Sequence, residues 1–299
     1  MKFIHTFWTK PALNNRWNED SVSQVIKNIW YYSLSVAYIK RLDLPIELHT
    51  DDFGKHCLDH LSYDNIHLTL NTIPEYIKPY QWAYGKFLAL KNCDLDTIHI
   101  DGDVFIKHDK CINRIQDFID KKYDAIFQCK EHNRTSPGVL PVYKNTSTEL
   151  FNLTYPIWGK KNGKFAYNTG IILFNNQEYK DEFLKEYFRC HHDCATIPEF
   201  ISKYNDFKQN GGNYIPDLVL EQQFMYDLAK YKNYKIGELI DYLNLKDTAN
   251  EIGYQHVLGK EKYDIKNIKR CVETIKNINY HVYQLTNEKC KQIRNELKY

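Results

Sequence analysis

Apolar positions along the chain recur with two alternating periods. Phe3-Ile4-His5-Thr6-Phe7 has the apolar density of a first buried strand. Between Ser21 and Leu42, Val25, Ile29, Tyr32 and Val36 recur every three or four residues. That spacing predicts a helix, with Asp20 or Ser21 as its cap. Pro45 to Thr50 then predicts a short strand, Gly54 to Leu61 a helix, and Ile66 to Leu70 a strand. Tyr80 to Leu90 reads as a helix with Trp82, Phe87 and Leu90 near one face, followed by a strand from Thr97 to Ile100. Further on, Asp109 to Lys122 predicts a helix and Ala125 to Gln128 a strand. Phe165 to Asn175, around Gly170-Ile171-Ile172-Leu173-Phe174, predicts a buried strand. Tyr179 to His191 and Leu218 to Lys230 predict helices, Pro216 standing just before the second. Such alternation predicts an α/β fold, a mixed and mainly parallel sheet flanked by helices. Ligands of sheets of this kind sit beyond the carboxyl ends of the strands.

Two stretches break the alternation. Residues 130–165 carry Pro137, Gly138, Pro141, Pro156, Gly159 and Gly163, the make-up of a long binding loop or lid. Gln209-Asn210-Gly211-Gly212-Asn213 predicts a turn. At the C-terminus, Ile265, Ile268, Val272, Ile275, Ile278 or Asn279, Val282 and Leu285 recur at helical spacing. Lys260 to Tyr299 holds ten Lys or Arg against five Asp or Glu, a net of +5, which leaves −3 for the rest. An interrupted basic amphipathic helix follows, either packed on the domain or lying peripherally on an anionic membrane surface. The expected organisation is a domain over residues 1–264 and a helical tail over 265–299.

A chain of 299 residues can bury its core as one large α/β domain or two smaller ones, and 43% hydrophobic and 26% charged residues are ordinary for a soluble globular protein. A net charge of +2 supplies no field for nucleic acid, so none is expected as a partner. No apolar run reaches bilayer-spanning length, and the first eight residues are too short and polar for a signal peptide. The eight cysteines then read as free thiols, and cytoplasmic residence is the default expectation. Cys190-His191-His192-Asp193-Cys194 offers zinc-type ligands, but no second pair at finger-like spacing follows.

The chemistry concentrates at Ile98-His99-Ile100-Asp101-Gly102-Asp103-Val104-Phe105-Ile106. Two carboxylates stand one residue apart at a strand end, and extended backbone would send both to one side with Gly102 turned away. Adjacent carboxylates repel unless a cation or proton separates them. Oxygen ligands of this type suit Mg²⁺ or Mn²⁺, ions that also hold substrate phosphates. A solvated turn is the plainer alternative; the apolar residues on both flanks argue against it.

Several segments taken in order resemble GT-A glycosyltransferases, and within them family 8, the glycogenin-like and bacterial lipopolysaccharide galactosyltransferase-like enzymes. Tyr84-Gly85-Lys86 followed by Ile100-Asp101-Gly102-Asp103-Val104 is similar to that family's helix and Asp-x-Asp strand end. Tyr167-Asn168-Thr169-Gly170 through Asn175, Glu221-Gln222-Gln223, and His256-Val257-Leu258-Gly259-Lys260-Glu261-Lys262 resemble its later motifs. The likeness spans about residues 80–264. It implies a metal-dependent transfer of sugar from a nucleotide-diphosphate donor, UDP by family default, to a hydroxyl acceptor, with a cell-surface glycan as the family's habit. Asp101, Asp103 and His256 would hold Mn²⁺ or Mg²⁺, which stabilises charge on the departing diphosphate. Gly259 and Lys262 would meet the diphosphate. Lys86, Asn168 and Gly170 would line the donor, with Glu221 on a sugar hydroxyl and Gln222 near the anomeric carbon. Lys86 stands where the family usually has Arg, which removes bidentate pairing. Glu221 and Gln223 stand where it has Asp. A haloacid dehalogenase-type phosphatase would use Asp101 as nucleophile and Asp103 as acid, but its later acidic pair is missing. A nucleotidyltransferase would need a glycine-rich loop where Thr9 to Arg16 has none. A degenerate, non-catalytic glycan-binding protein is the remaining alternative.

Overall fold

The computed structural model describes residues 1–14, 20–132, 165–199, 201–202, 215–241 and 243–297. Nine strands occur among them: β1 (Lys2–Phe7), β2 (Ile46–Thr50), β3 (Asn65–His67), β4 (Thr97–Ile100), β5 (Val104–Ile106), β6 (Ala125–His132), β7 (Phe165–Phe174), β8 (Ile236–Glu238) and β9 (Tyr254–His256). Seven build one sheet in the order β3-β2-β1-β4-β7-β6-β8; β5 and β9 form a separate antiparallel ribbon. β1 pairs parallel with β2 and β4, and β2 with β3, whereas β7 runs antiparallel to both its neighbours. The expected mixed, mainly parallel sheet flanked by helices is therefore present.

Alternation along the strands divides the core into two halves. Phe3 and Phe7 face one side of β1 and Ile4 the other; in β7, Ile171 and Leu173 oppose Ile172 and Phe174. One face is covered by the helix Ser21–Arg41 and the two C-terminal helices, the other by the helices Tyr84–Lys91, Gln177–Thr196 and Phe224–Lys232. Asp20 caps the long helix, accepting from Val22 N and Ser23 N.

Several boundaries differ from those the spacing predicts, and local polar contacts explain them. Asp51 caps the next helix, accepting from Gly54 N, so it runs Asp52–Leu58 rather than from Gly54 to Leu61. The expected helix from Tyr80 begins only at Tyr84, because the Gln81 side chain accepts from Lys78 N and Asp217 accepts from Ala83 N. β3 stops at His67 and a 3₁₀ turn, Thr69–Thr72, follows. The segment expected as one helix from Leu218 contains a π-helical stretch, Val219–Gln223. β6 continues to His132, so Lys130 to His132 belong to the sheet. The remainder of the expected loop, 133–164, and the turn at 209–213 lie outside the described residues.

The C-terminal basic segment is two helices, Ile265–Ile278 and Tyr280–Glu296, separated at Asn279, whose side chain caps the second by accepting from Val282 N. Ile268, Cys271, Ile275, Val282, Cys290 and Ile293 lie in the main core against the helix Ser21–Arg41. Thr286 Oγ1 donates to Ser33 Oγ at 3.0 Å, and Cys271 Sγ to Trp30 O at 3.4 Å. The apolar stripe is thus spent on the protein's own core, with Lys266, Lys269, Arg270, Lys276 and Lys291 outward. Among the described residues no helix is long and apolar enough to cross a membrane.

Candidate functional site

β1 lies between β2 and β4, so the chain order reverses beside it, the place where open α/β sheets leave a crevice. The end of β4 opens into that crevice. Asp101 N donates to Gly170 O at 2.9 Å, and Val104 N donates back to Asp101 O at 2.9 Å. Asp101-Gly102-Asp103 is consequently a tight turn, not the extended chain its apolar flanks predict. Gly102 presses on the long helix: a Cβ there would lie 2.3 Å from the Tyr32 ring. The turn feeds β5, whose Val104 pairs with His256 of β9. That pairing carries His256 to the carboxylates. Asp101, Asp103 and His256 each present a ligand atom, all within 4.8 Å of one another.

His256 is held in one orientation. Its Nδ1 lies 2.7 Å from Gln128 Oε1, which also accepts from Tyr254 OH at 2.8 Å. An amide oxygen only accepts, so the proton resides on Nδ1 and Nε2 turns a lone pair inward. That nitrogen is buried, has no hydrogen-bond partner, and stands 3.4 Å from Asp103 Oδ1. A lone pair facing a carboxylate oxygen calls for a cation between them, so the donor set fits a divalent metal. Gln128 reaches the site because β6 and β7 lose register between Phe127 and Cys129, a bulge that re-aims the side chain. Gly170 lies opposite. A Cβ there would come within 2.5 Å of His256 Nδ1 and 2.4 Å of Gln128 Oε1. The glycine therefore makes room for this pair, whereas the family likeness implies room for the donor.

The remaining charges are arranged in pairs. Lys86, 6% exposed, places Nζ 2.9 Å from Asp101 Oδ1 and 2.5 Å from Glu221 Oε1, and donates to Thr169 O at 3.1 Å. Thr169 Oγ1 also donates to Glu221 Oε1, at 2.5 Å. Three partners use the three N–H bonds of the ammonium. Burial alone would push the Lys86 pKa down; Asp101 and Glu221 together hold it above the ordinary lysine value. Burial likewise works against the Asp103 charge, but the Lys262 ammonium outweighs it and holds that carboxyl well below its usual range. Asp101 is depressed in the same way, chiefly by Lys86 against burial. Lys262 forms an ion pair with Asp103 Oδ2, and Tyr31 OH donates to Lys262 O at 2.9 Å. Asn168 Oδ1 accepts from Gly170 N at 3.0 Å and its Nδ2 donates to Glu131 Oε1 at 2.8 Å. Burial is the main cause that raises the Glu131 pKa. Gly259 has φ +54 with open space where a Cβ would stand, a conformation suited to glycine.

One cavity of about 470 Å³ collects these groups. Lys86, Asp101, Asp103, Asn168, Gly170, Glu221, Gln222, His256, Gly259 and Lys262 all line it, so all ten residues singled out in the sequence come together. Phe7, Trp8, Tyr31, Tyr32 and Trp82 line its other side. Gln128, Tyr254, Thr169 and Glu131 were not legible as site residues. Gln128, Tyr254 and Glu131 act through contacts created by sheet register and belong to no spaced motif, whereas Thr169 stands inside the Asn168-Thr169-Gly170 motif without a role of its own there.

No curated protein and no solved structure matches the chain significantly. A family match does extend over residues 1–295, across the whole sheet, the cavity and both C-terminal helices, and the chain belongs to this family of unknown function, DUF6734.

Proposed function

We propose that the protein is a metal-dependent glycosyltransferase of GT-A type, moving a sugar from a nucleotide-diphosphate donor, by resemblance a UDP-sugar, to a hydroxyl acceptor. The observation that carries this reading is the convergence of Asp101, Asp103 and the orphaned Nε2 of His256 beside Lys262 in one cavity at a strand end. Further support comes from the reversal of strand order at β1 and from the single reversed strand β7 within an otherwise parallel sheet.

Asp101, Asp103 and His256 would hold Mn²⁺ or Mg²⁺. When bound, such an ion neutralises oxygens of the diphosphate leaving group as a Lewis acid. Lys262 carries a partly exposed point charge beside Asp103, suited to exchange that carboxylate for a phosphate oxygen. Gly259, with no protein atom within 4 Å of a Cβ position, leaves backbone open to a ligand. Lys86 orients Asp101 and Glu221 from within the wall. Gln222 lines the cavity one residue beyond Glu221 and would face the reacting sugar. The aromatic wall from Trp8 to Trp82 offers stacking surfaces for a base or sugar. The metal-ligating triad includes a histidine where a haloacid dehalogenase-type phosphatase calls for further carboxylates, which supports transfer over phosphate hydrolysis.

The test is turnover. A panel of UDP- and GDP-sugars is incubated with the protein and Mn²⁺, and released nucleoside diphosphate is measured. Release from one donor, abolished by chelation, supports the reading; free phosphate from phosphorylated substrates with no diphosphate release overturns it.

A further inference from the structure

A second group of metal-type ligands sits at the outer edge of the sheet and shares no residue with the cavity. β2 and β3 pair with His49 opposite His67, and the two imidazoles stack with centroids 4.7 Å apart. Glu47 precedes His49 by two residues on β2 and so faces the same side. Glu47, His49 and His67 each offer a ligand atom, all within 4.8 Å of one another, and His67 Nε2 lies 3.4 Å from Glu47 Oε2. From the loop after the helix Tyr84–Lys91, Cys93 brings its Sγ to 3.6 Å from His49 Nε2. Thr69 Oγ1 lies 2.8 Å from His49 Nδ1. A hydroxyl oxygen there can accept the Nδ1 proton, which would leave Nε2 as a ligand, the outer-shell arrangement common to metal-bound histidines.

We propose that Glu47, His49, His67 and Cys93 form a second metal site, of the zinc class, that clips the sheet edge. Two nitrogens, a carboxylate oxygen and a sulfur are a zinc donor set. With metal–nitrogen and metal–sulfur distances of about 2.0 and 2.3 Å, neighbouring donors on a tetrahedral ion stand roughly 3.5 Å apart. Glu47–His67 at 3.4 Å and His49–Cys93 at 3.6 Å have that spacing; Cys93 Sγ lies outside the 4.8 Å group of the other three, and its side chain would close the remaining gap on binding. Without metal, Lys2 Nζ balances the Glu47 carboxylate at 3.1 Å. Lys2 is 31% exposed on a flexible stem, so it swings to solvent when a dication takes its place. Coordination releases the Cys93 thiol proton to solvent and involves no change of oxidation state. The site would tie β2, the three-residue β3 and the segment leading into β4 to a single ion.

Cobalt tests this directly. Co²⁺ is titrated into the metal-free full chain and thiolate-to-cobalt charge-transfer absorbance is followed, with Zn²⁺ as competitor. Asp101, Asp103 and His256 carry no sulfur, so the band reports this site and is independent of the transferase reading. The expected result is a band that Zn²⁺ displaces, that is absent in Cys93→Ser, and that persists in Asp103→Asn. His67→Ala, at a half-exposed position that tolerates truncation, should weaken Co²⁺ binding roughly tenfold or more. Absence of the band, its persistence in Cys93→Ser, or unchanged affinity in His67→Ala overturns the proposal.

Discussion

Gly170 sets the position of His256: a side chain at residue 170 would place its Cβ 2.5 Å from His256 Nδ1 and 2.6 Å from Cε1. Both residues are pinned by their strands, Gly170 in β7 and His256 in β9, so neither backbone moves aside cheaply. Gly170→Ala should therefore push the imidazole away from Asp103. The expected outcome is a loss of Mn²⁺ affinity of about 10–100-fold, with overpacking costing about 1–3 kcal/mol of stability. Calorimetric Mn²⁺ titration and urea unfolding of the variant measure the two effects separately.

Gln128 acts on the same ring from the other side. Replacing it with Leu removes the acceptor that keeps the proton on His256 Nδ1 and also leaves Tyr254 OH without its partner. Gln128→Leu should lower Mn²⁺ affinity by about 10–100-fold without touching a ligand. Gln128→Glu keeps an acceptor oxygen and should retain most of the affinity. Equal losses in both variants would mean that orientation of the ring is not what Gln128 supplies.

Lys86 compensates two carboxylates from within the protein. Lys86→Met leaves Asp101 and Glu221 facing each other without their cation, and removing one partner of a buried pair costs about 3–5 kcal/mol. Adding Glu221→Gln to that variant should restore part of the stability, because the two positions share one network. Urea unfolding of the single and double variants reads the coupling, and strict additivity would refute it.

Local patterns made much of this legible. The Asp101-Gly102-Asp103 pair announced itself because apolar residues flank it, and the strand Thr97–Ile100 was bounded by its own composition. Helical spacing likewise located Ser21–Arg41 and its Asp20 cap to within a residue. The family likeness supplied the distant partners, His256 and Lys262, which spacing alone could not connect to Asp103. What stayed hidden depends on register. Gln128 looks like one more polar residue at a strand end until the bulge against β7 turns it toward His256. The family likeness placed Lys86 in the site, but its burial as the shared partner of Asp101, Glu221 and Thr169 depends on contacts far apart in the chain. The late start of the helix at Tyr84 arises from Asp217, far along the chain, which no local window contains.

Acid should weaken the fold before it protonates Asp101 and Asp103, whose carboxyls are held below their usual range. Burial pushes His60 down to about 4 and His191 down to about 3. Both are neutral when folded and take up a proton near pH 6.5 when unfolded. The unfolded state thus binds more protons below pH 6.5, so stability is full above that pH and falls as pH drops toward 4. For His60 the shift corresponds to roughly 3 kcal/mol. Urea midpoints should fall steadily from pH 7 to 4.5, and His191→Gln should flatten that slope. A slope unchanged by the substitution would remove His191 from the account.

The most direct test of the metal-diphosphate site is calorimetric titration of UDP into the metal-free protein, with and without Mn²⁺, for wild type and Asp103→Asn. Asp103 joins His256 and Lys262 and is 6% exposed, so its charge bears on metal and diphosphate together. The expected result is UDP binding that appears only with Mn²⁺ and is lost in Asp103→Asn. Manganese-independent UDP binding, or equal binding by the variant, would contradict a metal centre built on Asp101, Asp103 and His256.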